Sequence, residues 1–189
     1  LIDGRSPSNE DYQVKNGATL TAQDAVAGKV TISDGHLVMD SGQIKGYLML
    51  DAGSTATIEN ADVKFAALMG NTRLQNTTIE TQLNVFDAQL AAAQVRMQQF
   101  VAGNAEVIVE NGVIANNNKI YSGAVDFNGT NGTFIGSTIK GYQSGIFLTG
   151  KNQVGLDGSS VRAVNGPAFM ARTGTQDILL TNGSTAGSD

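Results

Sequence analysis

The sequence predicts an all-β fold of one kind, a right-handed parallel β-helix with three short strands per turn and about nine turns. Three observations predict it. Apolar and polar residues alternate in short runs, the pattern of a half-buried strand whose successive side chains point to opposite sides. An Asn, Asp or Gly stands two positions after the second apolar site of most runs, where these residues tolerate a left-handed bend. The runs recur with a mean period of about 21 residues, in the range of stacked repeat architectures.

In chain order, "VTISDGHLVM" supplies Val30, Ile32, Asp34, Leu37 and Met39, and "TIENADVKF" supplies Ile58, Asn60, Val63 and Phe65. "RLQNTTIET" follows with Leu74, Asn76 and Ile79, and "VIVENGVIA" with Val107, Val109, Asn111 and Ile114. "VGLDGSSVRA" closes the set with Val154, Leu156, Gly158, Val161 and Ala163. The shared template anchors on Val14, Ile32, Ile58, Leu74, Leu90, Val109, Phe134, Leu156 and Leu180. Its bend falls at Asn16, Asp34, Asn60, Asn76, Asn111, Gly136, Gly158 and Asn182, with Ala92 the exception. The copies at Val14 and Leu180 carry threonine at the third apolar site, and Phe134 is preceded by Gly132. Stacked asparagines are expected to form a ladder of side-chain amides along the axis.

A second, weaker repeat appears as "SGAVDF" at 122–127, "SGIFLTG" at 144–150 and "NGPAFMA" at 165–171; "GYLML" at 46–50 and "LNVF" at 83–86 fit the same place in earlier turns. Each turn then holds three strands and three bends. Strands so short cannot pair within their own turn, so each pairs with its equivalent above and below, and parallel connections are normally right-handed. At about 4.8 Å per turn, nine turns make a rod of about 43 Å. The segment "AQLAAAQVRMQQF" at 88–100 is rich in helix formers, and Leu90, Ala93, Met97 and Phe100 could line a helix face. A coil turn is the preferred reading and an inserted helix the alternative.

Residues 1–189 read as a single β-helix domain, with an irregular N-terminal segment at 1–11. The chain opens at "LIDGRSPSNE" without Met or a signal pattern and closes at "GSTAGSD", which reads as a mature segment or a fragment of a longer protein. Hydrophobic residues make up 41% and charged ones 15%, so a substantial core can be buried. Aromatic residues are only 6% and tryptophan is absent, which leaves the core to Val, Ile, Leu, Ala and a few Phe. The net charge is -5 and the basic residues are dispersed, which argues against nucleic acid. There is no cysteine, hence no disulfide and no thiolate metal site. No run of 18 apolar residues is present to cross a membrane as a helix.

Taken together, "VKNGATLT" at 14–21, "VENGVI" at 109–114 and the strands "GAVDFNG", "GIFLTG" and "GPAFMA" resemble the passenger region of a bacterial autotransporter of the pertactin type. The resemblance spans most of residues 12–183 and rests on periodic pattern. It implies a stiff rod at the cell surface or outer membrane, or secreted, exported through a C-terminal β-barrel that this sequence does not contain. It also implies a role in adhesion or virulence, with a host or bacterial surface receptor or glycan as partner, and a monomeric state. The nearest stretch to an Arg-Gly-Asp tripeptide, "DGRSP" at 3–7, has the wrong order.

No catalytic, cofactor-binding or metal-binding residues are expected, and the chain is read as non-enzymatic. His36 is the single histidine and reads as a surface residue beside Asp34. Glu59 and Asp62 with Lys64 and Arg73 read as a solvated, charge-compensated face. The Asn-x-Ser/Thr triplets at Asn76, Asn128, Asn131 and Asn182 are expected by chance in such a composition. Two alternatives stand beside this reading. A carbohydrate-active β-helix, lyase or hydrolase, would need a groove lined by carboxylates with a basic residue among them; a phage tail-spike fragment would be a trimer. The long steps from Ile32 to Ile58 and from Val109 to Phe134, where "ANNNKIYS" at 115–122 is the most polar stretch, are the natural places for binding loops, but simple variation in bend length is the preferred reading of both.

Overall fold

The computed structural model describes residues 1–4, 9–120 and 123–189. Every regular element among them is a strand, and every strand pair is parallel. The chain is a parallel β-helix of about eight turns. Its cross-section has three faces, visited in a fixed order by each turn.

On the first face Ala22, Met39, Ile58, Leu74, Ala92, Val109, Phe134, Leu156 and Leu180 stack one above the next. The second face stacks Ala27, Ile44, Val63, Ile79, Met97, Ile114, Ile139, Val161 and Ala186. The third carries Val14, Ile32, Leu50, Leu68, Val85, Ala102, Phe127, Leu148 and Ala171. Nearly all these inward residues are buried, and together they form one continuous apolar core. Ile178 and Leu180, which stack on Val154 and Leu156, remain exposed.

The register corrects three of the nine anchors. Val14 and Ile32 belong to the third face, where each is followed by its own left-handed residue, Asn16 or Asp34. Leu90 does point inward, but it stands opposite Thr72 and Val107. The partner of Leu74 and Val109 is Ala92. With that shift the exception at the bend disappears: the residue two after Ala92 is Gln94, whose φ is 53°. Asp24, Ser41, Asn60, Asn76, Gln94, Asn111, Gly136, Gly158 and Asn182 then form an unbroken column of left-handed residues, with φ between 47° and 63°. Residues 88–100 form a coil turn, with strands at Gln89–Ala93 and Arg96–Gly103.

The amide ladder is only partly formed. Asn76 donates to Asn60 at 2.9 Å, and Asn60 donates to the Asp40 carboxylate at 3.2 Å. Elsewhere the rung above an asparagine offers a carboxylate, as where Asn104 donates to Asp87 at 3.3 Å. Inside the same bend runs a ladder of another kind. The Gly112 N–H donates to Ser137 Oγ at 3.0 Å, the Ser137 N–H to Ser159 Oγ at 2.9 Å, and the Ser159 N–H to Ser184 Oγ at 3.1 Å. Ser137 and Ser159 are buried, so these hydroxyls satisfy backbone donors that water cannot reach.

Three phenylalanines pack together in the core where the turns begin to lengthen. Phe100 meets Phe127 edge to face at 5.6 Å between centroids, and Phe127 stacks on Phe134 at 5.9 Å. The Phe127 ring explains Gly132, since a Cβ there would run into Cε2 of that ring.

Of the segment 1–11, expected to be irregular, Ile2 and Asp3 pair with Ala22 and Gln23, and a strand begins at Glu10. Residues 5–8, which carry most of "DGRSP", lie outside the described residues.

Candidate functional site

The corner between the second and third faces is where the coils differ most. In the N-terminal turns the strand runs straight through it with a small register shift, as between Ile44 and Tyr47 or Val63 and Phe65. In three successive C-terminal turns the chain leaves the wall there. Strands Val113–Asn116 and Val125–Asn128 are separated by one loop, Thr138–Gly141 and Ile146–Thr149 by a second, and Ser160–Ala163 and Phe169–Ala171 by a third. Because the rungs beneath are in register, the three loops lie side by side.

The loops hold one another. The Gln143 amide donates to the Lys119 carbonyl at 2.7 Å, the Lys119 ammonium lies 5.4 Å from the centroid of the Tyr142 ring, and the Asn165 N–H donates to the Tyr142 carbonyl at 2.8 Å. Within the first loop, Asn116 Oδ1 accepts from the Asn118 N–H at 2.9 Å, and Asn118 Oδ1 accepts from the Ile120 N–H at 3.0 Å. Asparagine side chains thus shape the turn, as they commonly do. The result presents apolar side chains to solvent, with Ile120 84% exposed and Val164 41%. The step from Val109 to Phe134 therefore holds a loop, the less favoured of its two sequence readings, although Tyr121 and Ser122 lie outside the described residues. The step from Ile32 to Ile58 contains no such loop, since its two ends sit on different faces and strands Thr19–Ser33 and His36–Leu50 pair along nearly their whole length.

Beneath the loop corner is a buried polar pair. Gln99, 4% exposed, donates through Nε2 to Asp126 Oδ2 at 3.2 Å. Among the described residues Gln99 Oε1 is buried with no hydrogen-bond partner, and the buried Asp126 carboxylate is otherwise approached only by the Gly123 backbone. Burial pushes the Asp126 carboxyl up to about 6, with the Gln99 hydrogen bond opposing.

The remaining residues singled out in the sequence fall on the outer walls. His36 is exposed, its Nδ1 2.8 Å from Thr55 Oγ1. Glu59 and Arg73 point outward from the first face, and Asp62 and Lys64 from the second. Around Arg73 the first face is hollowed, with about 510 Å³ bordered by Thr57, Asn71, Gln89, Ala91 and Glu106. An adjoining hollow of about 470 Å³ runs on from Glu106 and Ile108 past Asn131 and Gly155 to Leu179. Sequence reasoning missed this face. Its signal was the outward residues of each run, which the search for apolar anchors passes over. Among the described residues no group of three or more His, Cys, Asp or Glu is placed to hold a metal ion. Compared with protein-family models, with curated proteins and with solved structures, the chain matches none.

Proposed function

We propose that the chain is a non-enzymatic rod module of a surface-exposed or secreted protein, which engages a host or bacterial surface through its loop corner. The observation that carries this reading is the stack of three loops on successive turns, braced by the Lys119–Tyr142 and Gln143–Lys119 contacts and carrying the exposed Ile120 and Val164. A stacked wall gives the loops a rigid base, and loops on a rigid base are where binding residues concentrate. The resemblance in periodic texture to autotransporter passengers supports the same role, in which folding of stacked turns outside the cell would assist export.

The test is binding of fluorescently labelled protein to intact epithelial and bacterial cells, measured for the parent and for a double variant, Ile120→Asp with Tyr142→Ala. The expected result is at least a tenfold weaker signal for the variant with an unchanged circular dichroism spectrum. Equal binding by both proteins would refute the loop corner as the contact.

A further inference from the structure

We propose that the outer side of the first face binds an extended, uncharged polysaccharide laid along the helix axis, independently of the loop corner. Six successive rungs present Asn71, Gln89, Glu106, Asn131, Gln153 and Asp177 at one outward position. All six are exposed, and all carry a carboxamide or carboxylate. The neighbouring outward row reads Arg73, Ala91, Ile108, Thr133, Gly155 and Leu179. Ala91 and Gly155 are its short members, and each lies in one of the two hollows, which meet at Glu106 and Ile108. The face therefore carries two shallow hollows in line, sharing Glu106 and Ile108 as lining, with a polar border along one side.

The spacing selects the occupant. Rungs repeat at about 4.8 Å, so the six border groups span about 24 Å. Pyranose rings in an extended glycan recur at nearly the same interval, which lets one border group meet each ring in turn. A carboxamide offers both donors and an acceptor, the combination that adjacent sugar hydroxyls require. The C–H faces of the rings would rest on Ala91, Ile108 and Leu179. Part of the border is already oriented: Gln89 Nε2 donates to Glu106 Oε2 at 3.1 Å, and Asn71 Oδ1 accepts from the Gln89 N–H at 3.1 Å.

Charge narrows the class further. The third outward row adds Asp40, Glu59, Glu110 and Asp157, so the face sets these four acids with Glu106 and Asp177 against Arg73. Such a surface repels sulfated or uronate polymers and leaves neutral chains as the fitting ligand.

The experiment is calorimetric titration of the intact protein with linear cello-, xylo-, manno- and N-acetylated chito-oligosaccharides of two to eight rings, with a heparin oligosaccharide as the anionic arm. Affinity for at least one neutral series is expected to rise with length and level off near six rings. Gln89→Ala and Gln153→Ala should each weaken it three- to tenfold. Ala91→Trp, which fills the first hollow from an exposed position, should weaken it at least tenfold with an unchanged melting temperature. The loop-corner double variant should bind the oligosaccharide like the parent, which separates this outcome from that of the cell-binding reading. Absence of binding by every neutral series, preference for heparin, or indifference to Ala91→Trp would overturn the proposal.

Discussion

Asp126 is the residue where the interior departs most from an apolar stack. Burial disfavours the anion and pushes its carboxyl up to about 6, well above the usual carboxylate range. The fold therefore binds this proton more tightly than the unfolded chain does. The contribution to stability is full below about pH 4, falls as pH rises through about 6, and stays low above that. Asp126→Asn keeps the shape, removes the charge and supplies an amide that can donate to Gln99. Thermal unfolding across pH should show the variant more stable than the parent at pH 7.5, with the gap closing below about pH 4. A gap that persists at pH 3.5 would assign the effect to packing. At this scale six members of the left-handed column were legible, Asn60, Asn76, Asn111, Gly136, Gly158 and Asn182, since Asn, Asp and Gly are the residues that accept positive φ at least cost. Gln94 was illegible for the same reason, as nothing in a glutamine announces such a backbone. The Gln99–Asp126 pair was hidden too, because an outward-facing aspartate in an alternating strand reads as solvated until a loop covers it.

The strand is the element at which sequence reasoning both worked and slipped. Alternation identified the strand segments, and the parallel pairing followed because they cannot pair within their own turn, even where three segments join into one strand as in Thr19–Ser33, His36–Leu50 and Thr55–Leu68. Register was harder, for two physical reasons. Leu90 and Ala92 both point inward, so the apolar pattern favours the larger side chain, whereas the turn at Gln94 sets which of them aligns with Leu74. The first and third faces also end alike, in an apolar pair followed by a left-handed residue, so Val14 and Ile32 passed for members of the wrong column. The serine ladder tests the corrected alignment. Ser137→Ala removes the acceptor of the buried Gly112 N–H and should cost about 1–3 kcal/mol in urea unfolding, as expected for an unsatisfied buried donor. The exposed hydroxyl of Thr133, four residues earlier on the same turn, makes a control whose loss should cost less than about 0.5 kcal/mol.

The whole molecule joins an even wall to an uneven corner. Turns stack at a constant rise, so a change in coil length cannot lengthen the rod and must leave sideways as loops. That is why the longer spacing from Val109 onward appears as three adjacent loops while the faces beneath stay in register. The same constancy gives the first face its evenly spaced border groups. Both functional proposals depend on this stacking. Because the chain contains no cysteine, spin labels can be placed at single chosen sites. The direct measurement is pulsed electron–electron distance spectroscopy between a label at Thr57→Cys and a second at Thr133→Cys or Leu179→Cys. These positions are four and six rungs apart on one outward row. At about 4.8 Å per rung the backbone separations are about 19 and 29 Å, and the two distance distributions should be narrow and differ by about 10 Å. Equal distances, or a shorter one for the Leu179 pair, would contradict a straight stack of parallel turns.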